Sequence, residues 1–232
     1  MMTPHPLDRP AFAALWSDWA SFAQTQGNAR RLHPHYGPFA ASKDPMQLDE
    51  LVPLARAHGP VWIVEDHLPD QLPKGLRLEK QAEVIQMVAA DLIAPSLPDD
   101  MADLPDRDGP EMRALAVMTE PGPFAEKTHL LGRFVGVRRN GQIIAIAGER
   151  MRLPGFTEVS GVCTHPDARG QGLAAALTYE IARGIHATGA VPFLHCYPEN
   201  RPAVAAYERI GFTTRRRLSA FILSAVSPRA RI

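Results

Sequence analysis

The C-terminal half of the chain carries the clearest alternation of apolar and polar positions. Strand-like runs lie at 134–138, 142–150 and 157–164. Asn140 and Gly141 separate the first two runs, and both residue types tolerate the positive φ angles that a tight hairpin requires. The pattern therefore predicts three consecutive antiparallel strands.

A helix and a further strand follow these three strands. Four apolar residues recur on one face at four-residue spacing: Leu173, Leu177, Ile181 and Ile185. This spacing predicts a helix over 170–187 that packs on a sheet. The apolar run at 191–197 is the next strand, and the right-handed crossover rule makes it parallel to the strand before the helix. A second helix capped by Asn200 and a last strand at about 212–223 complete this half.

The first part of the chain has a less regular pattern. Aromatic and apolar residues at three- and four-residue spacing predict an amphipathic helix over 10–25. A short helix over 46–57 and a strand at 61–65 follow. The residues from 76 to about 89 fit a strand better than a helix, and the proline-rich, acidic segment 94–111 is predicted to be a loop or a helix-capping segment.

Composition excludes several classes of partner. The 232 residues include 25 basic and 25 acidic side chains, so no net basic charge favours nucleic acid or an anionic membrane. No run reaches the ~18 apolar residues of a membrane span, and the N-terminus does not resemble a signal peptide. Cys163 and Cys196 lie in strand-like runs without metal-ligand spacing. We expect a cytoplasmic protein that binds no metal.

The segment between the strand ending at Thr164 and the next helix is typical of an anion site. Glycines let oxygen atoms approach backbone N–H groups, a helix N-terminus adds partial positive charge, and Arg169 can add a fork-shaped contact. A pyrophosphate would fit. Gly170, Gly172 and Ala175 also satisfy the dinucleotide fingerprint, but that fingerprint begins as its strand ends, and here five residues intervene.

Two motifs in this half resemble those of the GCN5-related N-acetyltransferase (GNAT) superfamily. Its acetyl-CoA signature, Arg or Gln, two residues, Gly, one residue, Gly or Ala, is met by Arg169, Gly172 and Ala174. Its later element, an Asn near a helix start, a Tyr seven residues on and a Gly-Phe pair, is met by Asn200, Tyr207, Gly211 and Phe212. The resemblance covers 134–223, and the stretch 148–177 resembles the FR47-like branch.

This resemblance implies an α/β (α+β) fold with a mixed, mostly antiparallel sheet and flanking helices. It places an acetyltransferase domain at 81–232, behind a degenerate, partial copy of the same fold at 1–80. The implied reaction is direct attack of a primary amine on acetyl-CoA in a ternary complex. The acceptor would be a small-molecule amine, an amino acid or a peptide amine.

The resemblance also assigns residues to acetyl-CoA. The backbone of Val162, Cys163 and Thr164 would pair with the pantetheine arm. The pyrophosphate would lie against the loop formed by Arg169, Gly170, Gln171, Gly172, Leu173 and Ala174, with Asn200 nearby. Tyr207 would protonate the departing sulfur.

Glu158 is the first candidate for the base, and Glu149 is the second. By strand alternation Glu158 shares a face with Ser160, Val162 and Thr164. The alternative for either glutamate is an ion pair with Arg150 or Arg152.

Two other functions remain open at this point. The domain could bind acetyl-CoA without turnover, as a sensor or interaction module. A dinucleotide-binding enzyme is the other alternative.

Cys163 is a poor candidate for a covalent acyl-enzyme, because its neighbours in the sequence offer nothing that lowers a thiol pKa. His165 and His195 are expected to orient a loop, to lie beside the sheet, or to assist proton transfer.

Overall fold

A computed structural model describes residues 5–226, and the chain divides into two compact units. Among the described residues, the first unit contains 5–34, Pro38–Val84 and 217–226. The second unit contains His35–Gly37 and Ile85–Arg216. The interpretation of the first part as a degenerate acetyltransferase copy stays a prediction.

Five helices and eleven strands are formed by the described residues. The helices are α1 (Pro10–Leu15), α2 (Leu51–His58), α3 (Gly109–Thr119), α4 (Leu173–Ala187) and α5 (Arg201–Arg209). The strands are β1 (Ala23–Gln26), β2 (Ala29–Leu32), β3 (Ala40–Ser42), β4 (Val61–Glu65), β5 (Leu76–Val88), β6 (Met101–Asp103), β7 (Phe134–Arg139), β8 (Gln142–Leu153), β9 (Phe156–Thr164), β10 (Val191–Cys196) and β11 (Thr213–Ala225). No helix within 5–226 is long and apolar enough to cross a membrane.

The sheet of the second unit has the neighbour order β5-β10-β9-β8-β7-β6. All neighbours are antiparallel except β9 and β10, which α4 connects as a parallel crossover. Asn140 and Gly141 both have positive φ in the β7–β8 turn. The mixed, mostly antiparallel sheet with flanking helices is therefore confirmed, as are the hairpin and the crossover.

Helices pack on both faces of this sheet. Val135, Val137 and Ala145 belong to a buried cluster with the apolar stripe of α4. On the opposite face, Phe134, Ile146 and Cys163 form a cluster with α3. The sequence analysis did not find α3, because the apolar residues of this helix do not keep to one face. Met112, Leu115 and Ala116 are buried, whereas Val117 and Met118 are exposed.

The predicted helix over 10–25 is wrong beyond Leu15. Residues 23–26 instead form β1, which pairs with β2 across a turn that contains Gly27 at a φ of 54°. The aromatic periodicity reflects burial and not a continuous helix. Trp19 is 2% exposed and packs 5.7 Å from the Phe39 ring, although it lies outside α1.

Gly211 generates a stability prediction. Its φ is 103°, and an added Cβ would lie 2.3 Å from the backbone oxygen of Asp91. Gly155 has a φ of 78°, with nothing within 4 Å of an added Cβ. We expect Gly155→Ala to lower the free energy of unfolding only by the ~1–2 kcal/mol that a left-handed backbone costs a residue with a Cβ. Gly211→Ala should cost a further ~1–3 kcal/mol for the clash. Urea unfolding measures both, and equal losses would contradict the close approach at Gly211.

Candidate active site

The strands β9 and β10 separate soon after they begin. They pair only where Phe156, Thr157 and Glu158 meet Val191, Pro192 and Phe193. Beyond these pairs β10 continues beside β5, while β9 continues beside β8. Backbone groups of β9 after Glu158 are therefore not used in pairing with β10. An extended ligand chain could hydrogen-bond there, as a further strand would.

A β-bulge lies at the same place in β9. Ile146 of β8 pairs with Cys163, and Gly148 pairs with Ser160, so β9 holds one extra residue between these pairs. Gly161 provides the bend with a φ of 63°. Such a bulge turns the following side chains to the other face and leaves backbone groups out of the ladder.

The predicted alternation along β9 is corrected by this bulge. Cys163 packs in the cluster on the α3 face, whereas Val162 packs against the cluster on the α4 face. Val159 also lies in the α4 cluster, which places its neighbour Glu158 on the α3 face. Glu158 therefore shares a face with Cys163 and not with Val162. A one-residue insertion reverses strand alternation, and the sequence pattern did not reveal it.

The glycine loop has the geometry that an anion needs. Gly170 and Gly172 have φ angles of 78° and 76°, and an added Cβ on either would meet nothing within 4 Å. α4 begins at Leu173, three residues later than predicted, so its free N–H groups point toward these glycines. Nε of Arg169 donates to the Thr164 carbonyl at 3.4 Å. The loop therefore fits a pyrophosphate group.

Other predicted cofactor residues have structural roles. The Leu173 side chain is buried, so it could meet a cofactor only through its backbone. The Gln171 side chain accepts a hydrogen bond from Arg139 at 2.7 Å. Asn200 caps α5 as predicted, since its Oδ1 accepts from the Ala203 backbone N–H at 3.3 Å.

Tyr207 lies on α5 and is buried to 8% exposure. Burial raises the pKa of its phenol, and the neighbouring Cys196 and Cys163 raise it further. The phenol is therefore protonated at neutral pH, although a raised pKa also makes it a weaker acid.

Both cysteines are buried thiols. Burial raises the pKa of Cys163 to about 12 and that of Cys196 to about 11. The thiolate is the nucleophile in cysteine chemistry, so these residues are poorly suited to form an acyl-enzyme.

Glu158 is fully buried in an ion pair. Its carboxylate accepts from Nε and Nη2 of Arg150 at 2.8 and 2.9 Å, and it lies 2.8 Å from Nδ1 of His195. Burial alone would raise the pKa of Glu158. The charge of Arg150 and the hydrogen bonds from His195 and Arg150 outweigh burial, and the pKa is lowered to about 2. These contacts favour the ion-pair interpretation of this glutamate.

Glu149 is also in an ion pair, since Nη2 of Arg152 lies 2.5 Å from its carboxylate. Its role as a second candidate base stays a prediction, as does that of Glu158. His165 orients the loop after β9, because its Nδ1 accepts from the Asp167 backbone N–H at 3.3 Å. Within residues 5–226 no three His, Cys, Asp or Glu side chains are grouped so that they could hold a metal ion.

The positions of Gln86 and Arg215 beside the group around Glu158 were not predicted from the sequence. Nε2 of Gln86 lies 3.2 Å from Nε2 of His195, and Nη1 of Arg215 donates to Oε1 of Gln86 at 3.0 Å. The only available signal was a polar Gln inside the apolar run at 84–88.

Comparison with known proteins identifies the family. The family described as FR47-like protein matches residues 134–220. A solved structure from Novosphingobium aromaticivorans, assigned to the GNAT acetyltransferases, is 43% identical over 96% of this chain and 100% of its own, with a TM-score of 0.88. The chain belongs to the GNAT family of acetyltransferases. The predicted family and the acyltransferase class are thereby confirmed.

More distant GNAT structures share the fold. A GCN5-related N-acetyltransferase from Kribbella flavida is 20% identical, covers 95% of both chains and has a TM-score of 0.64. A related protein from Streptococcus suis is 16% identical over 86% of this chain and 84% of its own, with a TM-score of 0.53. No curated protein matches the sequence.

The dinucleotide alternative does not fit this GNAT fold. β9 has an antiparallel neighbour in β8, and a 3₁₀ turn at Pro166–Ala168 separates β9 from Gly170. A dinucleotide-binding unit requires a parallel sheet and a glycine turn directly after its strand.

The buried Glu158 generates a prediction about acid stability. Its pKa is about 2 when folded, below the ordinary 4.5 of the unfolded chain. The ionised carboxylate therefore stabilises the fold above pH 4.5, and this contribution is lost as the pH falls toward 2. We expect a loss on the order of a few kcal/mol in the free energy of unfolding.

Urea unfolding between pH 6 and pH 3 tests this. Glu158→Gln should flatten the dependence on pH, whereas Glu83→Gln, which removes a solvent-exposed pair with Arg217, should leave it close to that of the unchanged chain. A Glu158→Gln profile as steep as that of the unchanged chain would contradict the lowered pKa.

Proposed function

We propose that this GNAT protein transfers the acetyl group of acetyl-CoA to a primary amine by direct attack in a ternary complex. The acceptor is a small-molecule amine, an amino acid or a peptide amine. The observation that carries this proposal is the separation of β9 from β10 after Glu158, next to the open glycine loop at the start of α4. β9 offers backbone groups that do not pair with β10, and the glycine loop offers an anion site. Acetyl-CoA matches both, because it has a polar pantetheine arm followed by a pyrophosphate.

The chain's own groups would bind this co-substrate in two places. Backbone groups of Val162, Cys163 and Thr164 would hydrogen-bond to the pantetheine arm. The loop from Arg169 to Ala174 would hold the pyrophosphate, with the Arg169 guanidinium as a charged donor. Asn200 would act indirectly, by fixing the start of α5. Acetyl-CoA supplies an activated thioester when it is bound.

Tyr207 would donate the proton that the departing thiolate needs. The charge that Cys163 of the bulged segment would carry as a thiolate contributes to the raised pKa of Tyr207, and this raised pKa keeps the phenol protonated. The raised pKa values of both thiols support direct attack on the thioester and not an acyl-enzyme.

The amine must lose a proton before it attacks. An alkylammonium has a pKa of ~10, far above the lowered pKa of Glu158, so proton transfer from the amine to this carboxylate is strongly unfavourable. Glu158 is therefore a weak base in the ion pair observed. We expect the amine to lose its proton to solvent, with Glu149 as the remaining candidate for a direct base.

Other aspects of the proposal rest on the sequence. We propose a cytoplasmic location, because neither cysteine forms a disulfide. We also propose that residues 1–80 are a degenerate acetyltransferase copy.

Thiol release from acetyl-CoA tests the proposed function. The purified chain is offered a panel of primary amines, amino acids and peptides, and the amide product is identified by mass spectrometry. We expect saturable release with at least one acceptor class. Arg169→Ala should raise the KM for acetyl-CoA roughly tenfold, as expected for a lost charge-assisted hydrogen bond. The exposed Arg209→Ala is the matched control. Saturable binding without release for any acceptor would instead support a non-catalytic acetyl-CoA-binding module.

Tyr207→Phe separates catalysis from binding. The phenylalanine keeps the packing against Phe212, whose ring centre lies 6.2 Å away, and removes only the hydroxyl. We expect kcat to fall ~100-fold or more while the KM for acetyl-CoA changes less than about twofold. An unchanged kcat in steady-state assays would remove Tyr207 from the mechanism.

A further inference from the structure

Five polar side chains of the second unit, which are buried or partly buried, form a continuous series of contacts across five neighbouring strands. They are Arg150 on β8, Glu158 on β9, His195 on β10, Gln86 on β5 and Arg215 on β11. Glu158 and Gln86 are both fully buried, and the His195 side chain is 10% exposed. Buried polar groups at such positions impose strict donor and acceptor roles on one another.

The contacts define the protonation state of His195. A guanidinium can only donate, so the atom of Gln86 that faces Arg215 is its carbonyl oxygen. The amide nitrogen of Gln86 then faces Nε2 of His195 and donates to it. Nε2 must therefore be the unprotonated nitrogen. The ring proton lies on Nδ1, which donates to Glu158 at 2.8 Å.

The carboxylate of Glu158 that faces Nδ1 of His195 has a second partner. Arg150 donates to it from Nε and Nη2 and pairs with its charge. A second proton on Nε2 would face the N–H groups of Gln86, which Arg215 holds in place. The Phe193 ring also packs beside His195, with its centre 5.6 Å from that of the imidazole.

This series of polar side chains lies where β9 and β10 diverge. Their last backbone pair joins Glu158 to Phe193. The next connection between the two strands is the hydrogen bond from His195 to Glu158. On its other side, His195 lies directly opposite Gln86 in the β5–β10 ladder.

We propose that His195 is a positioning residue of the acetyl-CoA site: as a neutral, Nδ1-protonated imidazole it ties β10 to Glu158 and sets the opening between β9 and β10. Gln86 and Arg215 impose this tautomer. The role rests on the proposed function, because the opening matters only if the pantetheine arm enters it. Glu158 then helps to hold β10 at its distance from β9, because it accepts the hydrogen bond from Nδ1 of His195.

Nitrogen-15 NMR of the full chain tests the tautomer. At pH 7 we expect His195 to show a protonated Nδ1 and an unprotonated Nε2. Gln86→Glu would place a carboxylate beside Nε2, and we expect this variant to show an imidazolium at the same pH. An imidazolium or an Nε2-protonated ring in the unchanged chain would overturn the inference, as would a Gln86→Glu spectrum without a change at His195.

Calorimetric titration with acetyl-CoA tests the positioning role. His195→Asn keeps an N–H donor near the Nδ1 position and should bind with a Kd within about threefold of the unchanged chain. His195→Leu removes the donor and should weaken binding roughly tenfold, the effect of one hydrogen bond to a charged group. Equal Kd values for all three would overturn the role, while absence of binding by the unchanged chain would instead overturn the proposed function. If His195→Leu does not fold, binding by His195→Asn that is weakened by more than about threefold would overturn the role.

Discussion

The short pairing between β9 and β10 is the constraint on which the rest of the site depends. Only three residues on each strand are paired, and the extra residue at the Gly161 bulge follows within β9. A strand that neither pairs with its parallel neighbour nor keeps its ladder regular exposes backbone donors and acceptors inside a protein. Such groups need partners, and an extended, amide-containing cofactor arm can supply them. The glycine loop follows this strand after one 3₁₀ turn, so both halves of the proposed acetyl-CoA site come from one stretch of the chain.

Burial determines which groups near this opening can exchange protons. Tyr207 and the two cysteines all have raised pKa values because they are buried, so they remain protonated. Glu158 is equally buried, but Arg150 and His195 stabilise its charge and lower its pKa to about 2. The phenol therefore stays protonated at neutral pH, as the proposed role of Tyr207 requires. The carboxylate holds its two neighbours, and its lowered pKa makes it a weaker base than an ordinary glutamate.

The elements that define this fold were predictable where local signals agreed. The β7–β8 hairpin has Asn140 and Gly141 at positive φ, and α4 has one apolar stripe, so turn chemistry and periodicity both identify them. α3 was missed because its apolar residues lie on two sides. The helix over 10–25 was extended too far because buried aromatic residues outside α1 happen to follow helical spacing. In the site, the Arg169 loop and the Asn200 cap were readable as motifs with fixed spacing.

The contacts that shape the site were not predictable in this way. A single inserted residue at the Gly161 bulge moves the later side chains of β9 to the opposite face of the sheet, and no residue type in this segment predicts the insertion. The contact of Gln86 with Arg215 joins residues 129 positions apart, so it depends on the completed sheet. For the same reason Glu158 could be named as a candidate base, while its partner His195 on the next strand could not be assigned to it.

Hydrogen exchange of backbone amides with and without acetyl-CoA tests the central claim most directly. If the diverging end of β9 and the glycine loop bind the co-substrate, acetyl-CoA should slow exchange at 161–164 and at 170–174, and should slow it less at the paired end of β9. Protection confined to other segments, or no protection at saturating acetyl-CoA, would contradict the account.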